Sequence, residues 1–246
     1  MKRILLKAMA ASAGIILASS AGVRGAVLYQ NTSTPSGSVL NFPNNQQVGE
    51  QIWLGTLVPQ YLTNFSFEYY SPFISYTGPV QMDVRLYQNN GTLFNGYPSP
   101  GATPFFDSGN FNLTDPWQVG GTNTATVVFQ LSDLLGVTEV NAINLNPTFV
   151  LPTNFTFTVT VSGLQGLDQV GLPFFGFNGV ATVGTNQGDY WYNNSGTWQL
   201  LTNSSGATAF GAQFLGKPTP EPSVLCLGAL GMAALTVVAR RRNRRG

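Results

Sequence analysis

The chain has 246 residues, 43% of them hydrophobic and only 9% charged, with one Cys and no His. Of its 11 basic residues all but Arg85 and Lys217 lie in the first 24 or the last seven positions, so the stretch 26–216 sets one cation against nine carboxylates, a balance of about −8. A body with that charge cannot neutralise a run of phosphates, and a chain without His, whose single thiol (Cys226) sits in an apolar run, excludes nucleic-acid binding, Ser–His–Asp and Cys–His catalysis, a disulfide framework and zinc held by His or Cys.

The N-terminus opens Met1-Lys2-Arg3-Ile4-Leu5-Leu6-Lys7, continues through an apolar stretch from Ala8 to Ala18, and reaches the small residues Ser19-Ser20-Ala21-Gly22. A basic n-region, a short hydrophobic region and small residues after it are the pattern of a secretory signal peptide. Cleavage after Ala21 or after Gly25 suits the small-residue rule, and we assign residues 1–25 to the signal.

From Ala26 to Leu215 no helical period is sustained. Short alternating or β-branched runs are separated by Gly, Asn, Pro and Ser, which predicts an all-β antiparallel sandwich of jelly-roll type with ten to twelve strands in one domain, 26–216. Clear runs are Leu62–Tyr69, Val80–Tyr87 and Thr122–Gln130. The cleanest is Thr153–Val161, where Phe155, Phe157, Val159 and Val161 share one face and Thr or Asn side chains the other. Asn89-Asn90-Gly91 and Asn194-Ser195-Gly196 read as hairpin turns, because Asn and Gly tolerate positive φ at little cost. Ser132–Leu135 is the one place where a short helical turn is expected.

Two constellations in this body carry chemistry. Tyr190, Trp191, Tyr192 and Trp198 are the candidate glycan-binding residues, since flat aromatic faces stack on the C–H faces of sugars. Alternation puts Tyr190 and Tyr192 on one face and Trp191 on the other, so the four do not form one platform, and Trp191, like Trp53 and Trp117, has a core role as its simpler reading. Carboxylates are the second constellation: Glu50, Glu68, Asp83 and Asp189 lie in or beside strands, and Glu68 with Asp83, expected on neighbouring strands, is the pair a glycosidase would need. Arg85 shares a face with Asp83, and an ion pair between them is the plainer expectation. No Gly-rich phosphate loop and no Asp-X-Asp-X-Asp-Gly calcium loop occurs, so neither a cofactor nor a metal site is read from the sequence.

The C-terminus runs Lys217-Pro218-Thr219-Pro220-Glu221-Pro222-Ser223, then 16 uncharged residues from Val224 to Ala239, then Arg240, Arg241, Arg242, Asn243, Arg244, Arg245 and Gly246. As a helix the apolar run is about 24 Å long, short of the roughly 30 Å hydrocarbon layer, and extension over Ser223 with snorkelling arginines lets it span. The arginines anchor that end in the cytoplasm and the signal peptide exports the body, so the two topological signals agree.

This tail, Pro-Glu-Pro-Ser followed by a short Gly/Ala/Leu-rich span and a terminal arginine cluster, resembles the PEP-CTERM domain of exported bacterial proteins. The resemblance covers Thr219 to Gly246 and implies recognition by exosortase, a membrane transpeptidase-like protease. It further implies an inner-membrane intermediate, processing near Pro220, Glu221, Pro222 and Ser223, and delivery to the envelope or extracellular matrix of an exopolysaccharide-producing bacterium. Val27–Asn31, Gln51–Thr56, Leu62–Ser71, Val84–Gly91 and Asp189-Tyr190-Trp191 also look like the extracellular bodies found ahead of such tails. The expectation is a non-enzymatic structural or surface protein with residues 217–246 as its sorting tail and exopolysaccharide as a candidate partner. A carbohydrate-binding module and a carboxylate-based carbohydrate-active enzyme are the alternatives.

Overall fold

A computed structural model describes residues 25–32, 35–73, 75–116, 123–131, 142–145, 149–175, 181–202 and 209–219, with backbone alone at 35, 130–131 and 142–145. Twelve strands of four or more residues and six two-residue pieces are formed among them. The first sheet contains β1 (Ala26–Asn31), β2 (Pro35–Asn41), β4 (Gln60–Tyr70), β10 (Thr124–Leu131), β11 (Ala142–Leu145), β12 (Val150–Leu151), β14 (Gly171–Phe175) and β18 (Ala212–Pro218). The second contains β3 (Gln47–Trp53), β5 (Gln81–Tyr87), β8 (Phe106–Asp107), β9 (Phe111–Asn112), β13 (Asn154–Ser162), β15 (Thr185–Asn186), β16 (Tyr190–Asn194) and β17 (Thr197–Leu201). A separate hairpin, β6 (Leu93–Phe94) and β7 (Tyr97–Pro98), belongs to neither.

The first sheet runs β1-β18-β4-β10-β11, the second β17-β16-β3-β13-β5-β8. All described pairings are antiparallel except β10 with β11. Apolar alternation makes the two inner faces. Phe65, Phe67 and Tyr69 of β4 point inward with Phe214 of β18 and Phe129 of β10, while Phe155, Phe157, Val159 and Val161 of β13 come from the other sheet. Their rings meet across the interface: Phe155 and Phe157 approach Phe214 at centroid distances of 5.0 and 6.1 Å, and Phe157 meets Phe65 edge-on at 6.0 Å. A register shift between Leu215 and Gly216, opposite Asn64 and Leu62, is a bulge in β4 that lets both Leu62 and Phe65 face the core despite their odd spacing.

The polar face of β13 is not a solvent face. Thr156 and Thr158 are fully buried, and their hydroxyls are used internally. Gln47 Nε2 donates to Thr158 Oγ1 at 2.7 Å, and Thr156 Oγ1 donates to Asn89 Oδ1 at 2.6 Å. The segment after β5 lies over this face, with Phe94 against Trp191 (5.7 Å) and Tyr97 against Trp53 (6.5 Å). A buried layer of amides and hydroxyls therefore sits between the second sheet and the β6–β7 cover, linked to Arg85 through the Tyr87 hydroxyl that accepts from Gln47 Nε2 at 3.2 Å.

Two turn expectations meet different outcomes. Ser195 (φ 55°) and Gly196 (φ 88°) form the two-residue turn between β16 and β17, as expected from Asn194-Ser195-Gly196. Asn89-Asn90-Gly91 does not join β5 to a hairpin partner. β5 pairs with β13, β8 and β9 instead, and the tight turn of this region is Asn95-Gly96, with φ of 52° and 86°, between β6 and β7. The Asn89 amide is drawn away by Asn154 and Thr156, contacts invisible to local turn chemistry. The expected helical turn at Ser132–Leu135 and the expected core residue Trp117 lie outside the described residues.

Candidate functional site

β18 is an interior strand, hydrogen-bonded to β1 on one side and β4 on the other. It carries the chain out of the body at Pro218, where Thr219 Oγ1 donates to the Pro59 carbonyl at 3.3 Å. The expected sorting residues Pro220, Glu221, Pro222 and Ser223, the apolar run 224–239 and the arginines 240–242, 244 and 245 follow directly and lie outside the described residues. Among the described residues no helix is long and apolar enough to cross a membrane. Ala26 pairs with Gly216, so the chain also enters the body at the end where it leaves.

The aromatic hairpin divides as alternation requires. Trp191 is fully buried on the outer side of the second sheet, beneath Phe94, and opposite Gly49 on β3. Its Nε1–H has no hydrogen-bond partner among the described residues. Tyr190 and Tyr192 lean on the core side, Tyr190 edge-on to Phe210 at 6.3 Å and Tyr192 with its hydroxyl bonded to Gln46. Trp198 is half-buried, edge-on to Tyr87 at 5.5 Å. Trp191 has no ring face open to a sugar. Trp198 lies on the same face of the hairpin, since Leu200 pairs with Trp191 and Trp198 with Asn193, while Tyr190 and Tyr192 lie on the other.

Two carboxylates are brought together, but they are not the expected pair. Glu68 and Asp83 do not lie on neighbouring strands: β4 and β5 belong to opposite sheets, because the chain crosses the sandwich between them. Asp83 instead pairs with Arg85 at 2.8 Å, and Arg85 Nε reaches Asp107 Oδ2 at 2.9 Å, so one guanidinium serves two acids. Burial holds the Asp83 carboxyl above its ordinary range, Arg85 pulls it down, and Asp107 pushes it up again. Asp107 is the partner the sequence did not reveal, since its two-residue strand β8 is too short to show a period. Glu50 points into the core beside Val48 and Ile52. Its Oε2 accepts the Phe210 N–H at 2.9 Å and the Asn186 side chain bonds the carboxyl, yet burial still raises its pKa well above 4.5. The Tyr29 hydroxyl, buried and without a partner among the described residues, is coupled to it. Among the described residues no group of three or more metal-ligating side chains is brought together.

One open depression, about 570 Å³, is lined by Gln88, Asn90, Gly91, Gly101, Ala102, Thr103 and Phe105. Its polar groups are amides and a hydroxyl, with no charge, and Gln88, Asn90 and Thr103 are exposed. Nothing in the local sequence marks it, because it forms only when Gly91 and Gly101 bring the two ends of the 88–105 segment together through Gly91 N–Ser99 O and Gly101 N–Gln88 O bonds of 2.9 and 2.8 Å.

The protein family described as the PEP-CTERM protein-sorting motif matches residues 218–243. The match begins at the last residue of β18. No curated protein and no solved structure matches the chain.

Proposed function

We propose, from the PEP-CTERM sorting motif that the chain carries, that it is an exported, non-enzymatic protein of the bacterial envelope or extracellular matrix, delivered by an exosortase-type protease. The observation that carries the reading is the junction itself: the matched motif starts at Pro218, the last residue of β18, and Thr219 alone separates that strand from Pro220. Pro220, Glu221, Pro222 and Ser223 are the recognition element, 224–239 the membrane stop, and Arg240, Arg241, Arg242, Arg244 and Arg245 the cytoplasmic anchor. The signal peptide at 1–25 starts export, and the body 26–216 is the cargo. We read that cargo as a jelly-roll-type sandwich, supported by β3, β4 and β5 falling alternately in the second, first and second sheets. A non-enzymatic role is supported by the separation of Glu68 and Asp83 in opposite sheets and by the engagement of Asp83 and Asp107 with Arg85. The uncharged depression favours a second reading, a module for neutral glycans such as exopolysaccharide, with Gln88, Asn90 and Thr103 as hydrogen-bonding groups and Phe105 as the apolar wall.

The test is the intact mass of the protein from its own host, taken separately from membrane and extracellular fractions, for the native chain and Glu221→Ala. The native extracellular form is expected to lack both terminal segments. Glu221→Ala is expected to be exported but to keep its tail and stay with the membrane. Identical processing of the two would refute recognition through the motif.

A further inference from the structure

The most exposed large apolar side chain of the described residues is Leu57, 97% accessible, with Val58 beside it at 52%. Both sit in the loop between β3 and β4, where Gly55 and Pro59 are exposed as well. A leucine so free of neighbours stands on a protruding tip, not in a groove, and leaving it in water forgoes the gain from burying it.

Strand pairing places that tip. Pro59 accepts the hydrogen bond from Thr219, the last described residue before the motif. Around it, Val150 pairs with Tyr61, Tyr61 with Lys217, and Val27 with Leu215. Val27 (39%) and Val150 (41%) are therefore exposed apolar residues on strands at most three spacings apart, about 14 Å. Four of the seven large apolar side chains exposed among the described residues thus gather at the end where the chain enters and leaves the body. Lys217, exposed, supplies a cation there. The acids Glu68, Asp115 and Asp168 lie toward the other end, with Glu68 eight positions along β4 from Gln60 and Asp168 bonded to Thr77 beyond the far end of β13.

Five chain steps separate Thr219 from Val224, which caps the distance between them at about 18 Å when fully extended. The headgroup layer accounts for about 6 Å of that. We propose that this end of the sandwich docks on the lipid bilayer, with Leu57 and Val58 inserted at the headgroup–acyl boundary and Lys217 against phosphate, so that the uncut intermediate is held upright with its sorting residues at the membrane surface. A convex apolar tip suits a deformable bilayer, which needs no matching pocket. The inference rests on the reading of 224–239 as the membrane stop.

The experiment uses the uncut full chain, made in a host without the processing protease, in a Cys226→Ser background. An environment-sensitive fluorophore is attached at Leu57→Cys, Val58→Cys or, as control, Leu167→Cys. Leu167 is 77% exposed and follows Ser162 at the opposite end, about 27 Å along β13. Each protein is placed in phosphatidylcholine vesicles with or without acyl-chain spin-labelled lipid, and flotation is measured on the same samples. Several-fold stronger quenching at 57 and 58 than at 167 is the expected result. Flotation with equal, weak quenching at all three sites would overturn the docking while leaving the anchor reading intact. Failure to float would overturn the anchor reading and the docking with it. A label at 57 that is free in vesicles and becomes shielded only when membranes bearing the protease are added would assign the tip to the enzyme and overturn the lipid proposal.

Discussion

Replacing Glu50 with Gln tests the buried carboxyl at the centre of the sandwich. The folded state keeps the Glu50 proton to a higher pH than the unfolded chain, which releases it near 4.5, because burial outweighs the bonds from Phe210 and Asn186. The stability this site contributes is therefore complete below pH 4.5 and is lost as pH rises towards the folded-state value. One proton held by the folded state and not by the unfolded one corresponds to about 1.4 kcal/mol per pH unit across that window. Glu50→Gln keeps an acceptor for the Phe210 N–H and carries no proton to lose, so its stability relative to the native protein should climb by up to that slope above pH 4.5. Glu50→Ala, by contrast, orphans a buried N–H, costing about 1–3 kcal/mol, with about 1 kcal/mol more for the void. Urea denaturation of the processed protein from pH 4 to 9 measures all three. Parallel native and Gln curves would show that Glu50 does not hold its proton and would refute the reasoning.

Three further outcomes are expected. Trp191→Ala should cost about 3–5 kcal/mol, whereas Trp191→Phe, which removes an indole N–H without a partner, should cost less than about 2 kcal/mol, both read by thermal or urea unfolding. Arg85→Met should destabilise by about 1–2 kcal/mol at neutral pH, a value held down by the partial exposure of the guanidinium. That loss should shrink as pH falls and Asp83 takes up a proton, which a denaturation series at several pH values checks. Replacing Arg240, Arg241, Arg242, Arg244 and Arg245 with Asn should release the tail from the membrane, and unchanged retention in the membrane fraction would count against their role as a stop.

Much of what short-range pattern governs was open to reading from the chain itself, the turn expected at Asn89-Asn90-Gly91 being the exception. Charge segregation and apolar run lengths mark the two terminal segments, and the motif match at 218–243 supports the second of them. The period of two in Thr153–Val161 gives the strand and its core face, and the same alternation separates Trp191 from Tyr190 and Tyr192. Ser195-Gly196 turns where positive φ is cheap. Each of these depends on neighbours a few residues away.

What the tertiary structure alone decided concerns residues whose partners are far along the chain. Glu68 and Asp83 are 15 positions apart and end in opposite sheets, because a strand's sheet membership follows from its pairing and not from its composition. Glu50 meets Phe210 and Tyr29 only once β3 is laid between β13 and β16 under the first sheet. Thr156 and Thr158 look like solvent residues by type and are fully buried, since the 88–105 segment folds over them and supplies Asn89 as a partner. Leu57 is the reverse case, an apolar residue left outside because its loop sits where the chain exits, beyond the last ladder bonds of β3 and β4. Side-chain polarity states what a residue costs to bury; which residues are covered depends on long-range pairings that no local pattern encodes.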